Sequence, residues 1–320
     1  MTSLSEKKLI GKRYIIEKEL GRGGMGVVYL ATDRLTREQV ALKMVMISRD
    51  KLVFSSKSIS TFDLDVALAK EFRLLSSLRH PHIISVLDYG FEEGDPYFTM
   101  ELLNNPQGLL DAAWNESEEV RIRYLVELLQ ALTYIHRRGV IHRDIKPHNI
   151  LVADGKIKVL DFGLAILSEE ARQISMGRAS GTIPYMAPEV LRGNAPSEAS
   201  DLYAVGIITY QEFAKKHPFN VSSVSSLIRD ILEGHPDLEP LERVILSKNA
   251  LRSLSDIVSN LLEKRPDDRP QNAGQVIVEL SEAAGTPVPE ESVAIRNSFL
   301  ESASFIGRDM ELKQLTDAFQ

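Results

Sequence analysis

Apolar positions in the first hundred residues fall in short β-branched runs. Residues 14–16, 27–30 and 40–45 are such runs with turn residues between them, and 85–89 and 97–101 predict two more strands. Residues 48–65, rich in serine, lysine and aspartate, predict a loop. Leu68, Phe72 and Leu75 then recur at helical spacing, which predicts a helix over 65–78. Beyond residue 115 the period lengthens. Val120, Tyr124, Leu128, Leu132 and Ile135 mark one face of a long helix, with Asn115 and Glu118 as its capping box and Arg137-Arg138-Gly139 as its basic end and glycine stop. Further helices are expected over 200–214, 222–233, 250–262 and 272–283. The pattern predicts an α+β chain without internal repeats: a small, mainly antiparallel lobe with one key helix, then a larger helical lobe. Little periodicity and two prolines follow residue 284, and a new pattern opens at Phe305.

Composition narrows the classes. The chain has 320 residues, 43% hydrophobic and 26% charged, enough to bury a core without staples. It has no cysteine, which excludes disulfides and thiolate metal sites and suits a reducing compartment. The net charge of -7, without a basic stripe, argues against nucleic acid as a main partner. No run of about 18 apolar residues predicts a membrane span, and the amino terminus lacks the apolar core of a signal peptide. A cytoplasmic location is the expectation.

Four motifs carry chemistry. Gly21-Arg22-Gly23-Gly24-Met25-Gly26-Val27-Val28 fits G-x-G-x-x-G-x-V, where glycines let backbone N–H groups approach phosphates. Strand-like residues follow it, where a dinucleotide site needs a helix. The next strand ends on Lys43, a charge needing a partner if buried; Glu71 on the following helix is preferred over Asp65. His142-Arg143-Asp144-Ile145-Lys146-Pro147-His148-Asn149 groups four polar functions just after the long helix. Asp161-Phe162-Gly163 lies 12 residues beyond Asn149 (161 − 149) and offers a hard oxygen ligand suited to Mg²⁺. Gly181-Thr182-Ile183-Pro184-Tyr185-Met186-Ala187-Pro188-Glu189 ends the stretch that begins at Asp161.

In this order the motifs resemble the eukaryotic-type protein kinase family, in its bacterial serine/threonine branch, over roughly residues 14–284. The resemblance implies a two-lobed kinase fold, with an N-lobe of about 14–101, a C-lobe of about 104–284, an extension at 1–13 and a linker at 285–304. It implies transfer of the ATP γ-phosphate to serine or threonine hydroxyls of protein substrates, with autophosphorylation, in signal transduction. Gly21, Gly23 and Gly26 would fold over the phosphates, with Leu20, Arg22, Gly24 and Met25 also in the ATP site. Lys43 would hold the α- and β-phosphates, paired with Glu71. Val28 and Ala41 would cover one face of adenine and Leu151 the other, with Met100 guarding the back pocket and Glu101 to Leu103 joining the lobes. Asn149 and Asp161 would bind Mg²⁺, for which Mn²⁺ could substitute. Asp144 would accept or orient the hydroxyl proton, and Lys146 would neutralise the transferred phosphate. Lys146 and Thr182 indicate serine/threonine acceptors. Asp201 would tie down the catalytic loop, and Glu189 with Arg269 would form a buried ion pair. Arg143 would pair with a phosphorylated activation segment, at Ser175 or Ser180.

The chain departs from the family pattern between Lys43 and Glu71, which lie 28 positions apart (71 − 43), and at His148 and 265–269. Finally, Phe305-Ile306-Gly307-Arg308-Asp309-Met310-Glu311-Leu312 resembles the opening of AAA or STAND signalling ATPases. That likeness makes 305–320 the start of an attached module, and leaves open a kinase-like ATP-binding domain that regulates it.

Overall fold

The computed structural model describes residues 8–23, 26–45, 72, 75–160, 182–244, 246, 253–289 and 295. Gly24, Met25, Glu71, Asp161, Ser175, Ser180 and the 305–320 segment lie outside them, as does most of the helix expected over 65–78; Phe72 and residues 75–77 are helical.

The first lobe is built on strands β1 (Leu9–Ile10), β2 (Tyr14–Gly23), β3 (Gly26–Asp33), β4 (Gln39–Val45), β5 (Val86–Glu92) and β6 (Asp95–Met100). They form one antiparallel sheet in the order β1-β2-β3-β4-β6-β5. Sheet pairing thus begins upstream of Tyr14, since Leu9 pairs with Ile15. Successive strand side chains point to opposite faces. On β4, Val40 and Leu42 therefore enter a small outer cluster with Ile10, Tyr14, Ala31 and Tyr97. Ala41 and Val45 join the main core instead, and Lys43 shares their face. Gly26 requires glycine: its φ is +144°, and a Cβ there would sit 2.0 Å from the Met44 carbonyl oxygen.

A second sheet, β7 (Gln107–Gly108), β8 (Ile150–Ala153) and β9 (Lys156–Val159), lies under the first lobe. The amides of Ile84 and Val159 tie the segment before β5 to β9, bonding the carbonyls of Val159 and His82 at 3.0 and 2.9 Å. The remaining described helices are α1 (Leu109–Ala113), α2 (Glu118–His136), α3 (Pro188–Leu191), α4 (Glu198–Ala214), α5 (Val224–Glu233), α6 (Glu239–Glu242), α7 (Leu254–Leu261) and α8 (Ala273–Ala284).

Two features of α2 differ from the sequence reading. Its N-cap is Ser117, whose hydroxyl accepts the Val120 amide, rather than Asn115. Ser117 is the better placed because Glu118 and Glu119 then fall in the first turn, where the helix dipole favours anions. Nor does α2 bury a single stripe: Ile122, Leu125, Val126, Leu129 and Tyr134 are buried along with Leu128 and Leu132. Helix α4 is similarly immersed, with Leu202, Tyr203, Val205, Ile207, Ile208 and Tyr210 all fully covered. A helix apolar all round is a core element, and both flank the loop at 137–149. Gly139, at φ +69°, breaks the chain away from α2 toward that loop.

Candidate active site

The loop between α2 and β8 is held by a single carboxylate. Asp201, on the first turn of α4 and 2% exposed, accepts three hydrogen bonds of 2.9 Å: from His136 Nε2, from the His142 amide and from the Arg143 amide. His142 is fully buried, and its Nε2 lies 3.0 Å from the Leu160 carbonyl, which reaches toward the Asp161 segment. Between these anchors Arg143 takes φ +69°. A non-glycine residue there costs on the order of 1 kcal/mol and persists only where its surroundings over-determine it.

That strained turn presents Asp144 to the cleft. Lys146 Nζ lies 2.8 Å from Asp144 Oδ2 and 3.0 Å from its Oδ1. Asn149 Nδ2 donates to the Asp144 carbonyl at 2.8 Å and to Oδ2 at 2.9 Å. Lys146 also donates to Thr182 Oγ1 at 3.0 Å, so one ammonium joins the catalytic loop to the segment entering α3. Arg143, Asp144, Thr182, Tyr185 and Met186 line a small cleft together.

The residues expected on the nucleotide side are brought together by strand register. Lys43, 6% exposed, pairs across strands with Val28 and Phe98, with Nζ 5.7 Å from the Phe98 ring centroid. Ala41 pairs with Met100, and Val28 and Leu103 pack against the same core. Leu151 is half-buried on β8, beside Gly108. A Cβ on Gly21 or Gly23 would meet nothing within 4 Å, so the hairpin leaves open space there. Leu20 is 46% exposed, and Arg22 is exposed and paired with Glu19 at 2.7 Å. The Glu101 carboxylate accepts the Ser85 amide at 2.9 Å and Lys158 Nζ at 2.8 Å, tying the connection between lobes to β9.

Among the described residues no three acidic or histidine side chains converge on a metal position. Asn149 spends its Nδ2 on Asp144, which turns its amide oxygen to the kind of donor Mg²⁺ takes. Farther down, Arg269 grips Glu189 bidentately at 2.8 and 2.7 Å, with Arg269 fully buried and Glu189 nearly so.

The sequence reading missed three positions that hold the site. His136 bonds Asp201, and the available signal was an imidazole closing the apolar run Tyr134-Ile135. Glu127 accepts the Ile157 amide at 2.9 Å, inside what read as an apolar helix; burial raises its carboxyl. His217 reaches back to the Thr182 segment and left no local signal.

Comparison with known proteins decides the family. Residues 14–279 match the family model described as protein kinase domain. The chain belongs to this family. It is 34% identical, over 84% of its length, to the DNA damage-responsive serine/threonine-protein kinase RqkA of Deinococcus radiodurans, covering 39% of that protein. It is 31% identical to the serine/threonine-protein kinase pkn3 of Myxococcus xanthus, over 94% of the chain and 58% of the relative. It thus spans well under two thirds of these curated relatives. Among solved structures, Rad53 in complex with AMP-PNP matches with a TM-score of 0.64 and 26% identity, covering 83% of the chain and 64% of that structure. The match supports the protein kinase fold, an antiparallel sheet over a helical lobe, and the relatives that share it are named serine/threonine-protein kinases.

Proposed function

We propose that this protein transfers the γ-phosphate of ATP to serine or threonine hydroxyls of other proteins and of itself, in cytoplasmic signalling. The observation that carries the reading is the Asp144–Lys146–Thr182 chain, with Asn149 fixing the Asp144 carboxylate. Asp144 orients the acceptor hydroxyl and takes its proton as the O–P bond forms. Lys146, already within reach of Asp144 and Thr182, meets the charge gathering on the transferred phosphoryl group. Lys43 binds the α- and β-phosphates, oriented by Glu71, and residues 20–26 close over them; Val28, Ala41, Met100, Leu103 and Leu151 enclose the adenine, with the Glu101 to Leu103 backbone beside it. Asn149 and Asp161 would hold Mg²⁺, which would neutralise phosphate charge, and Mn²⁺ would suit the same oxygen donors. Phosphate at Ser175 or Ser180 orders the activation segment through Arg143.

Phosphotransfer from ATP to myelin basic protein tests this. Lys43→Met, Asp144→Asn and Asp161→Asn are each expected to lose about a hundredfold or more. Equal transfer by the parent and all three variants refutes the reading. That 305–320 is the start of an AAA or STAND ATPase module is a proposal resting on the Phe305 to Leu312 pattern alone. ATP hydrolysis by the full-length protein carrying Asp144→Asn is its test.

A further inference from the structure

The tight turn Ile183–Tyr185 forms one wall of the cleft beside Asp144, and it follows Thr182, the hydroxyl held by Lys146. It is too short to hold itself in place. Two side chains reach it, Gln211 from the last turn of α4 and His217 from just beyond that helix. Tyr185 donates its hydroxyl to Gln211 Oε1 at 3.0 Å, and His217 Nε2 lies 3.0 Å from the Pro184 carbonyl. The His217 tautomer follows from its neighbours. Nδ1 faces both the Phe219 amide at 3.1 Å and the Phe219 carbonyl at 3.2 Å, whereas the Pro184 carbonyl facing Nε2 can only accept, so the neutral ring that keeps this bond carries its proton on Nε2 and takes the Phe219 amide on Nδ1. The backbone is shaped for this contact. Lys215 ends α4 in the left-handed region at φ +54°, turning the chain so that His217 points back under the turn. Phe219, buried in the main core, fixes the other side of the imidazole, and the Tyr185 ring meets the His217 ring edge-on at 6.4 Å.

We infer that His217 is a positioning residue for the protein acceptor: through the Pro184 carbonyl it holds the wall that the acceptor chain lies against, in register with Lys146 and Asp144. It touches neither nucleotide nor acceptor hydroxyl, so its influence falls on acceptor binding. This inference rests on the kinase reading above.

The test is the steady-state kinetics of His217→Ala and His217→Gln. Losing one neutral hydrogen bond is expected to raise the KM for myelin basic protein about fivefold in His217→Ala. The KM for ATP should stay within about twofold of the parent. Glutamine, which can still donate to Pro184, should recover most of the loss. An unchanged protein KM, or equal rises in both KM values, overturns the inference. Hydrogen exchange gives an arm that needs no activity. The Tyr185 and Met186 amides bond the Thr182 and Ile183 carbonyls at 3.0 and 3.1 Å. They should exchange faster in His217→Ala while α4 amides do not change; unaltered exchange at both amides overturns the inference. A parent that transfers no phosphate sinks the kinase reading itself, a result distinct from either arm.

Discussion

Replacing Arg269 with methionine should cost more stability than replacing Arg269 and Glu189 together. In the parent, Arg269 donates to both Glu189 oxygens at 2.8 and 2.7 Å, to the Ala199 carbonyl at 2.8 Å and to the Glu263 carbonyl at 2.8 Å, over the Tyr203 ring at 5.0 Å. The guanidinium side chain is 0% exposed and that of Glu189 6%. Arg269→Met leaves a buried carboxylate without its counter-charge, a loss of about 3–5 kcal/mol. The double substitution Glu189→Met with Arg269→Met removes that charge. It still leaves the Ala199 and Glu263 carbonyls without their donor, at about 1 kcal/mol each. The double variant should therefore fall between the parent and Arg269→Met. For a domain of this size, each kcal/mol moves Tm by about 2–4 °C. The single variant should melt roughly 10 °C below the parent, with the double variant recovering part of that. Thermal unfolding followed by circular dichroism, with urea titration as a check, reads all three proteins. A double variant as unstable as Arg269→Met, or less stable, would refute the reasoning, because the isolated charge would then not be the dominant cost.

Three other outcomes follow from buried groups and glycines. Glu212 on α4 is fully buried with neither carboxylate oxygen hydrogen-bonded, and burial raises its carboxyl well above the usual range. With the folded value above the unfolded one, its penalty grows as pH rises past about 4.5, so Glu212→Leu should be the more stable protein, by a margin widening from pH 5 to 7 in urea titrations. A margin that narrows contradicts this. Burial pushes the His80 imidazole down to about 3 and that of His82 to about 4, so the unfolded chain binds the extra protons; stability should be full above pH 6.5 and decline below it, with about 2 kcal/mol lost to His80 alone by pH 5. His80→Phe should flatten that decline, and an equally steep one would count against it. Gly26→Ala should lower Tm, because its Cβ would strike the Met44 carbonyl; Gly21→Ala should leave Tm unchanged yet weaken ATP binding in calorimetry, since only a ligand would meet that methyl.

Local signals in the sequence were read well, and distant ones were not. The strands flanking the glycine loop, the strand carrying Lys43, which runs on to Val45, and the order of the polar groups from His142 to Asn149 are visible because each depends on neighbours along the chain. The cap of α2 was misplaced by two residues because Asn115 and Ser117 are both good caps, and only the turn of acids after Ser117 separates them. Glu127 and His136 were hidden in an apolar helix because their partners, the Ile157 amide and Asp201, lie 30 and 65 residues away. The same holds for Glu101 with Lys158, and for His217 with Pro184, where no spacing rule reaches across the fold.

Heating should treat the two sides of the cleft differently because of Asp201. One carboxylate binds the end of α2, two catalytic-loop amides and the root of α4 into a single unit. The loop carrying Asp144 thus has no melting of its own: to lose its shape, helix α4, buried along most of its length, must come apart as well. The opposite wall hangs instead on single side-chain hydrogen bonds with Lys146, Gln211 and His217, each of which can break alone. As temperature climbs, the turn at Ile183–Tyr185 should loosen while the loop carrying Asp144 keeps its geometry up to global unfolding.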